Sequence, residues 1–417
     1  MLPLFLNNFY ITSNLNQSSL PADGRNFMTQ LNGLAGNAGN NKLFGLDHLR
    51  TLAITLVLFF HYRIFQHPGW VDHAGSFGWT GVDLFFVLSG YLIAGQLFSR
   101  VAQGKGLALG EFYFKRAFRI LPAYLAIVTL YFCLPAFRER EALPPLWKFL
   151  SFTQNFGLDL KHQGTFSHAW SLCIEEQFYL LLPLIMLIFL AVGAGKKAGY
   201  LLLILFILGF VVRIGSWYGQ VLAFQDTDVF WVEWYKWIYY PFPSRLDGLL
   251  AGVSLAGLFQ FYPGIRDRIT RHGNLLLLIG LGLIAVAYFF CSDPMSLHAS
   301  VFGFPLVAIA YCTVVAAAVS PSCILYKFKA NISSNIAALS YAIYLSHKGV
   351  IHLSQQLFLK WGIAGDSNLM FFLCIVMTIL GALVLRYAVE KPFLQLRDRI
   401  LQRRRAGREQ QPVKMRA

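Results

Sequence analysis

Residues 45–65 read GLDHLRTLAITLVLFFHYRIF. Leu, Ile, Val, Ala and Phe fill the middle of the stretch, with Asp47, His48 and Arg50 near one end and His61 and Arg63 near the other. An apolar run of about 20 residues, at about 1.5 Å per helical residue, matches the roughly 30 Å hydrocarbon core of a bilayer. A helix satisfies its own backbone N–H and C=O groups there without water. The stretch therefore predicts a transmembrane helix that carries ionisable side chains, and both properties recur along the chain.

Working outward, further apolar windows occur at about 78–98, 117–135, 170–192, 199–217, 243–260, 274–291, 300–319, 335–355 and 369–390. The expected fold is an all-α polytopic membrane helix bundle of about ten transmembrane helices. Composition agrees, because 56% of the 417 residues are hydrophobic and only 13% are charged. A string of soluble domains is excluded. The formal net charge of +15 does not indicate nucleic acid, since Lys and Arg fall in short runs between apolar segments. Cys133, Cys173, Cys291, Cys312, Cys323 and Cys374 form no C-x-x-C pair and read as packing residues. No histidine pair has H-E-x-x-H spacing, so no metal is expected.

The opening MLPLFL is too short for a signal-peptide core. Residues 1–44 are rich in Asn, Gly and Ser and read as a flexible tail; 45–393 form the transmembrane domain and 394–417 a basic tail. Orientation follows from positive charge on alternating connections. One set, including both tails, holds 22 Lys and Arg against 6 on the other. Both termini are thus expected in the cytosol. The longest outer connections, 136–169 and 218–242, carry Trp231, Trp234, Tyr235, Trp237, Tyr239 and Tyr240. These form either an interfacial aromatic belt or a platform for stacking sugars.

An ionisable group in hydrocarbon costs several kcal/mol unless it is paired or meets water, so intramembrane charges are functional candidates. Besides those in the first window, they include Asp83 with Ser89, Ser171 with Glu175 and Glu176, Arg245 with Asp247, and His347 with Lys348. Placed by the predicted orientation, His61, Asp83, Glu175, Arg245, Asp247 and His347 gather in the outer third to half of the membrane. Arg50 and His61 are eleven residues apart and share one helix face, separated by about 16 Å in depth. Ser171 and Glu175 share a face, whereas Glu176 points about 100° away. Structural roles stand beside these readings. Asp47 and Arg50 suit a helix-end ion pair, Arg245 and Asp247 suit interhelical anchors, and Arg63 and Lys348 suit snorkelling to the surface. His61 stands apart, because imidazole can serve as a general base near neutral pH.

These residues resemble the acyltransferase 3 family of polytopic membrane acyltransferases, which includes bacterial O-antigen and other polysaccharide O-acetyltransferases. The resemblance runs in order through GLDHLRTLAI with His61 beyond it, GVDLFFVLSGYLI, KRAFRILPAY, HAWSLCIEEQFYLLLP, SRLDGLLAG, LSYAIYLSH and VEKPF, covering about 45–393. It implies a multi-pass protein of the bacterial plasma membrane. It also implies an acyl-CoA co-substrate, usually acetyl-CoA, loaded from the cytosol, and transfer to a hydroxyl of an envelope glycan or glycolipid. It carries over His61 as the catalytic histidine, Arg50 as the first-span arginine, and Arg116 and Arg119 as the R-x-x-R pair associated with the donor. Glu175 gains a site role within HAWSLCIEEQFY, beside Trp170 and Ser171. The pattern departs at SHKGV, which weakens a direct role for His347.

The expected mechanism has His61 taking the acceptor proton while Glu175 orients the imidazole, with Arg245 or Ser89 near the oxyanion. Asp47, about 21 Å away on the same helix, cannot orient it. An acyl-histidine is the alternative chemistry. A transporter or flippase using the same charges as a proton or substrate path is the alternative function. No appended soluble domain is read after 393, so a partner completing export or second-stage transfer is expected to be another protein.

Overall fold

The computed structural model describes residues 43–409. The expectations for residues 1–42 and 410–417 lie outside the described residues. Among the described residues there is no strand, and each of the ten apolar windows is helical. The long helices are α1 Phe44–Tyr62, α2 Gly81–Ala102, α3 Leu109–Cys133, α4 Trp170–Ala191, α5 Ala198–Ser216 and α6 Asp247–Phe261. They are followed by the short α7 Pro263–Thr270, then α8 Gly273–Phe290, α9 Phe304–Ala318, α10 Asn331–Lys360, α11 Asn368–Leu385 and α12 Lys391–Glu409.

Eight segments of the described residues are long and apolar enough to cross a membrane, or nine if α6 and α7, bent by 110°, count as one broken span. Helix α10 is the window outside this number. Its 30 residues would extend about 45 Å, but Ser340, Ser346, His347, Lys348 and His352 interrupt its apolar run.

Two compact units divide the chain. The first contains residues 1–65, 69–107 and 140–340, hence α1, α2, α4 to α9 and the start of α10. At its centre α2 packs on α6 at backbone distance. A Cβ at Gly90 would strike Leu249 O, and one at Gly252 would strike Val87 O. Small residues permit this approach, which is how helices gain van der Waals contact in lipid. The span containing α2 is 83% buried and that containing α9 is 72% buried, against 11% for α5 and 17% for α8. The apolar surfaces of α5 and α8 therefore face hydrocarbon.

The second unit contains residues 66–68, 108–139 and 341–417. Tyr341 donates its hydroxyl hydrogen bond to Ile120 O (2.9 Å), tying α10 to α3. Gln355 Nε2 donates to Gln66 O (2.7 Å). Lys348 does not snorkel: it is buried, and its Nζ lies 3.6 Å from Oε1 of the buried Glu139. A charge that reaches no water needs such a partner. Arg63 does lie at the surface, donating from Nε to Asp72 Oδ1 (3.2 Å).

Candidate active site

Helix α1 ends at Tyr62, so His61 occupies its final turn. Its ring lies 5.7 Å from that of His168, centroid to centroid. His168 is buried and comes from the short turn Ser167–Ala169 that leads into α4. Phe166, just before it, has φ of 55°, a left-handed conformation that costs a non-glycine residue about 1 kcal/mol or more. The surroundings hold it there. Its ring stacks on Phe149 (5.7 Å), its carbonyl accepts from Gln154 Nε2 (3.0 Å), and its edge meets His168 (5.0 Å). The connection before α4 is thus shaped to deliver His168 beside His61.

Below this histidine pair, α4 presents Ser171, Glu175 and Tyr179 at successive four-residue steps on one face. Glu175 Oε1 accepts from Ser89 Oγ on α2 (3.0 Å), and Oε2 accepts from Tyr179 OH (3.1 Å). Tyr179 lies within electrostatic reach of Arg50 on α1. Arg50 NH1 is 3.6 Å from Asp47 Oδ1, the helix-end pair expected from their spacing. Asp47 Oδ2 in turn accepts from Ser334 Oγ on α10 (2.8 Å). His48 Nδ1 pairs with Ser333 Oγ (2.7 Å) and its Nε2 donates to Phe328 O (2.9 Å). A polar column therefore runs beside α1 from His61 to Asp47. Arg50, His61, Ser89 and Glu175 within it are only half-buried.

Asp83, Arg245 and Asp247 belong to a different arrangement. Arg245 NH2 donates to both carboxylate oxygens of Asp83 (2.9 and 3.0 Å). Its guanidinium lies 3.9 Å from the Phe304 ring, 4.6 Å from Tyr239 and 5.7 Å from Trp170. Asp247 accepts from Arg213 NH1 (2.6 Å) and NH2 (3.3 Å), and Arg213 NH1 also donates to Ser244 O (2.8 Å). All four charged residues are buried. Of the aromatics of 218–242, Trp234, Tyr239 and Tyr240 are buried packing residues around this knot, whereas Trp231, Tyr235 and Trp237 are half-buried. Trp170 packs between the rings of Tyr239 and Tyr240, at 4.8 and 5.2 Å.

In the second unit, Lys115 pairs with Glu111 (2.8 Å) and Arg119 NH1 lies 3.8 Å from the buried Glu390 of VEKPF, which Arg386 also approaches (3.7 Å). Arg116 is half-buried on the same turn of α3. His347 is buried, with Nδ1 2.8 Å from Tyr344 O, a bond within its own helix.

Three residues escape the sequence reading. Arg213 is a charge within an apolar window, and the rule that selected Asp83 selects it too. Tyr179 continues the four-residue series of Ser171 and Glu175. His168 carries no such signal, because its place beside His61 depends on the path of the preceding connection.

A polytopic helical protein with a polar column through one of its units is the class that fold and site define. The family model described as an acyltransferase domain, the acyltransferase 3 family, matches residues 43–387. The chain belongs to this family. It is 29% identical over 331 residues to the peptidoglycan O-acetyltransferase OatA of Listeria monocytogenes, covering 74% of this chain and 49% of the relative. It is 28% identical to the O-acetyltransferase OatA of Staphylococcus aureus, with 74% and 50% covered. To a putative O-acetyltransferase of Staphylococcus aureus (strain COL) it is 26% identical, with 84% and 57% covered. The chain spans about half the length of these curated relatives. No solved structure matches it.

Proposed function

We propose that this protein is a bacterial plasma-membrane O-acyltransferase that moves an acetyl group from cytosolic acetyl-CoA to a hydroxyl of an envelope glycan or glycolipid. The observation that carries this reading is the half-buried polar column, which runs from the Asp47–Arg50 pair to a histidine pair at the opposite end. It is supported by the family and by relatives named for O-acetylation.

His61 Nε2 or Nδ1 accepts the proton of the acceptor hydroxyl as that oxygen attacks the thioester carbonyl. The carbon–sulfur bond breaks, and the thiolate leaves with the proton that the imidazolium returns. Glu175, held by Ser89 and Tyr179, supplies negative charge that offsets the imidazolium, with Ser171 on the same face of α4. Arg50 lies at the end of the column opposite His61. In the second unit, Arg116 and Arg119 would hold the anionic nucleotide of CoA by charge-assisted bonds. Asp83, Arg245 and Asp247 set the frame around Trp170 rather than meeting the reacting atoms.

Comparative mass analysis of envelope glycans and lipids tests this, using cells that carry the native protein or His61→Ala at equal abundance. One acetyl group per modified sugar, present only with the native protein, is the expected result. Identical glycans and lipids in both cells would sink the proposal.

A further inference from the structure

Helix α5 is clamped near its C-terminal end. Near its C-terminus Arg213 binds Asp247 and Ser244 O, whereas only 11% of its span is buried. Towards its N-terminus, where α6, α8 and α9 face it, lies a groove of about 600 Å³. The walls are apolar or small: Leu203 and Phe206 from α5, Ala251 and Leu255 from α6, Ile309 and Thr313 from α9. The groove lies among membrane-crossing segments, and at that depth hydrocarbon fills apolar space in preference to water.

At one end of the groove, lining residues stand next to cations along the chain. Helix α7 turns from α6 by 110°, and its Ile269 lines the groove between Arg268 and Arg271 in sequence. Gly199, at the start of α5, also lines it and follows Lys197 by two residues. Lys197, Arg268 and Arg271 are exposed. Asp267, the acid of α7, is engaged by Arg266 (2.7 Å), and cations outnumber it on this segment. A short helix with Ile265 and Ile269 among arginines suits the plane of the headgroups. Cations alone would be ordinary topology signals. Cations next to the lining residues of a chain-sized apolar groove match both parts of one ligand.

We propose that this groove binds one anionic glycerophospholipid, with an acyl chain between α5 and α9 and its phosphate at Arg268, Arg271 and Lys197. A zwitterionic lipid offers the same hydrocarbon with a neutral head, so these cations select by charge. The site is separate from the polar column and independent of the acyltransfer reading.

Native mass spectrometry of the full chain released from nanodiscs of equal phosphatidylglycerol and phosphatidylcholine tests this. One phosphatidylglycerol retained over phosphatidylcholine by roughly tenfold or more is expected. The surface variant Arg268→Gln with Arg271→Gln should keep one lipid and lose the preference. The filled variant Ala251→Phe with Thr313→Phe should retain neither lipid. Equal retention of the two lipids by the native chain overturns the proposal, as does an undiminished preference in the Gln variant. So does displacement of the phospholipid by an equal amount of polyprenyl phosphate, which would make the occupant a carrier lipid. Should the filled variant fail to fold, the Gln variant decides alone.

Discussion

Two polar regions of the first unit use the same kinds of side chain for opposite ends. Around Asp83, Arg245, Asp247 and Arg213, each carboxylate has a guanidinium within 3.0 Å, and exposure is 3% or less. Along the column, Arg50, His61, Ser89 and Glu175 remain half-buried, and Glu175 accepts hydrogen bonds from two hydroxyls. An enclosed charge held by its counter-charge is closed off from substrate, so it fixes helices. A carboxylate held by two hydroxyls, beside partly open neighbours, keeps capacity for charge that appears during reaction. An intramembrane charge is thus a weak sign of catalysis until its partners are known.

The largest expected effect lies in the closed knot. Arg245→Ala strands the Asp83 carboxylate and should destabilise the protein by about 3–5 kcal/mol, because removing one partner of a buried pair leaves an uncompensated charge. Thermal unfolding in nanodiscs reads this. Asp83→Leu combined with Arg245→Met should regain most of the stability and also the activity. A folded but inactive double variant would erase the distinction between the two regions.

In the column, His61→Ala should lower acetyl transfer by about 10²–10⁴-fold, the span of general-base contributions, with the melting temperature retained. Loss of folding in that variant would place His61 with the structural charges. Glu175→Gln keeps the shape but removes the charge. Transfer should fall by about tenfold, in kcat rather than KM, with Ser89→Ala smaller still at about 1 kcal/mol or less. An unchanged kcat in Glu175→Gln would show that the carboxylate takes no part in balancing the imidazolium.

The smallest effect belongs to the connection before α4. Burial alone would raise the Asp159 carboxyl, but hydrogen bonds from His162 and from the backbone N–H groups of His162 and Lys161 outweigh it and hold it below the usual carboxylate range. A depressed carboxylate contributes stability above its unfolded pKa, and that contribution is lost as pH falls through its folded value. The Asp159 side chain is 39% exposed, so Asp159→Asn should cost no more than about 0.5 kcal/mol at neutral pH. The difference should vanish in acid-side melting curves.

Much of this was legible in the sequence. Ten apolar windows all proved helical, since the bilayer imposes length and polarity on any spanning segment regardless of its neighbours. The four-residue spacing of Ser171 and Glu175 located one face of α4, and the three-residue spacing of Asp47 and Arg50 located their pair. Local periodicity survives folding because it is set by the helix itself. Span number was less legible: α10 and the bent α6 and α7 carry too much polarity or curvature to be separated by hydropathy alone.

Partnership between distant segments was not legible. Arg245 meets Asp83 across 162 positions of chain, and Arg213 meets Asp247 across 34, distances over which no spacing rule operates. His168 reaches His61 only because Phe166 adopts a left-handed turn that Phe149 and Gln154 stabilise. The sequence by itself determined the solvent this protein lives in, its helices and its family. Tertiary structure alone decided which buried charges are neutralised and which remain available, because a charge in hydrocarbon is defined by the groups packed around it.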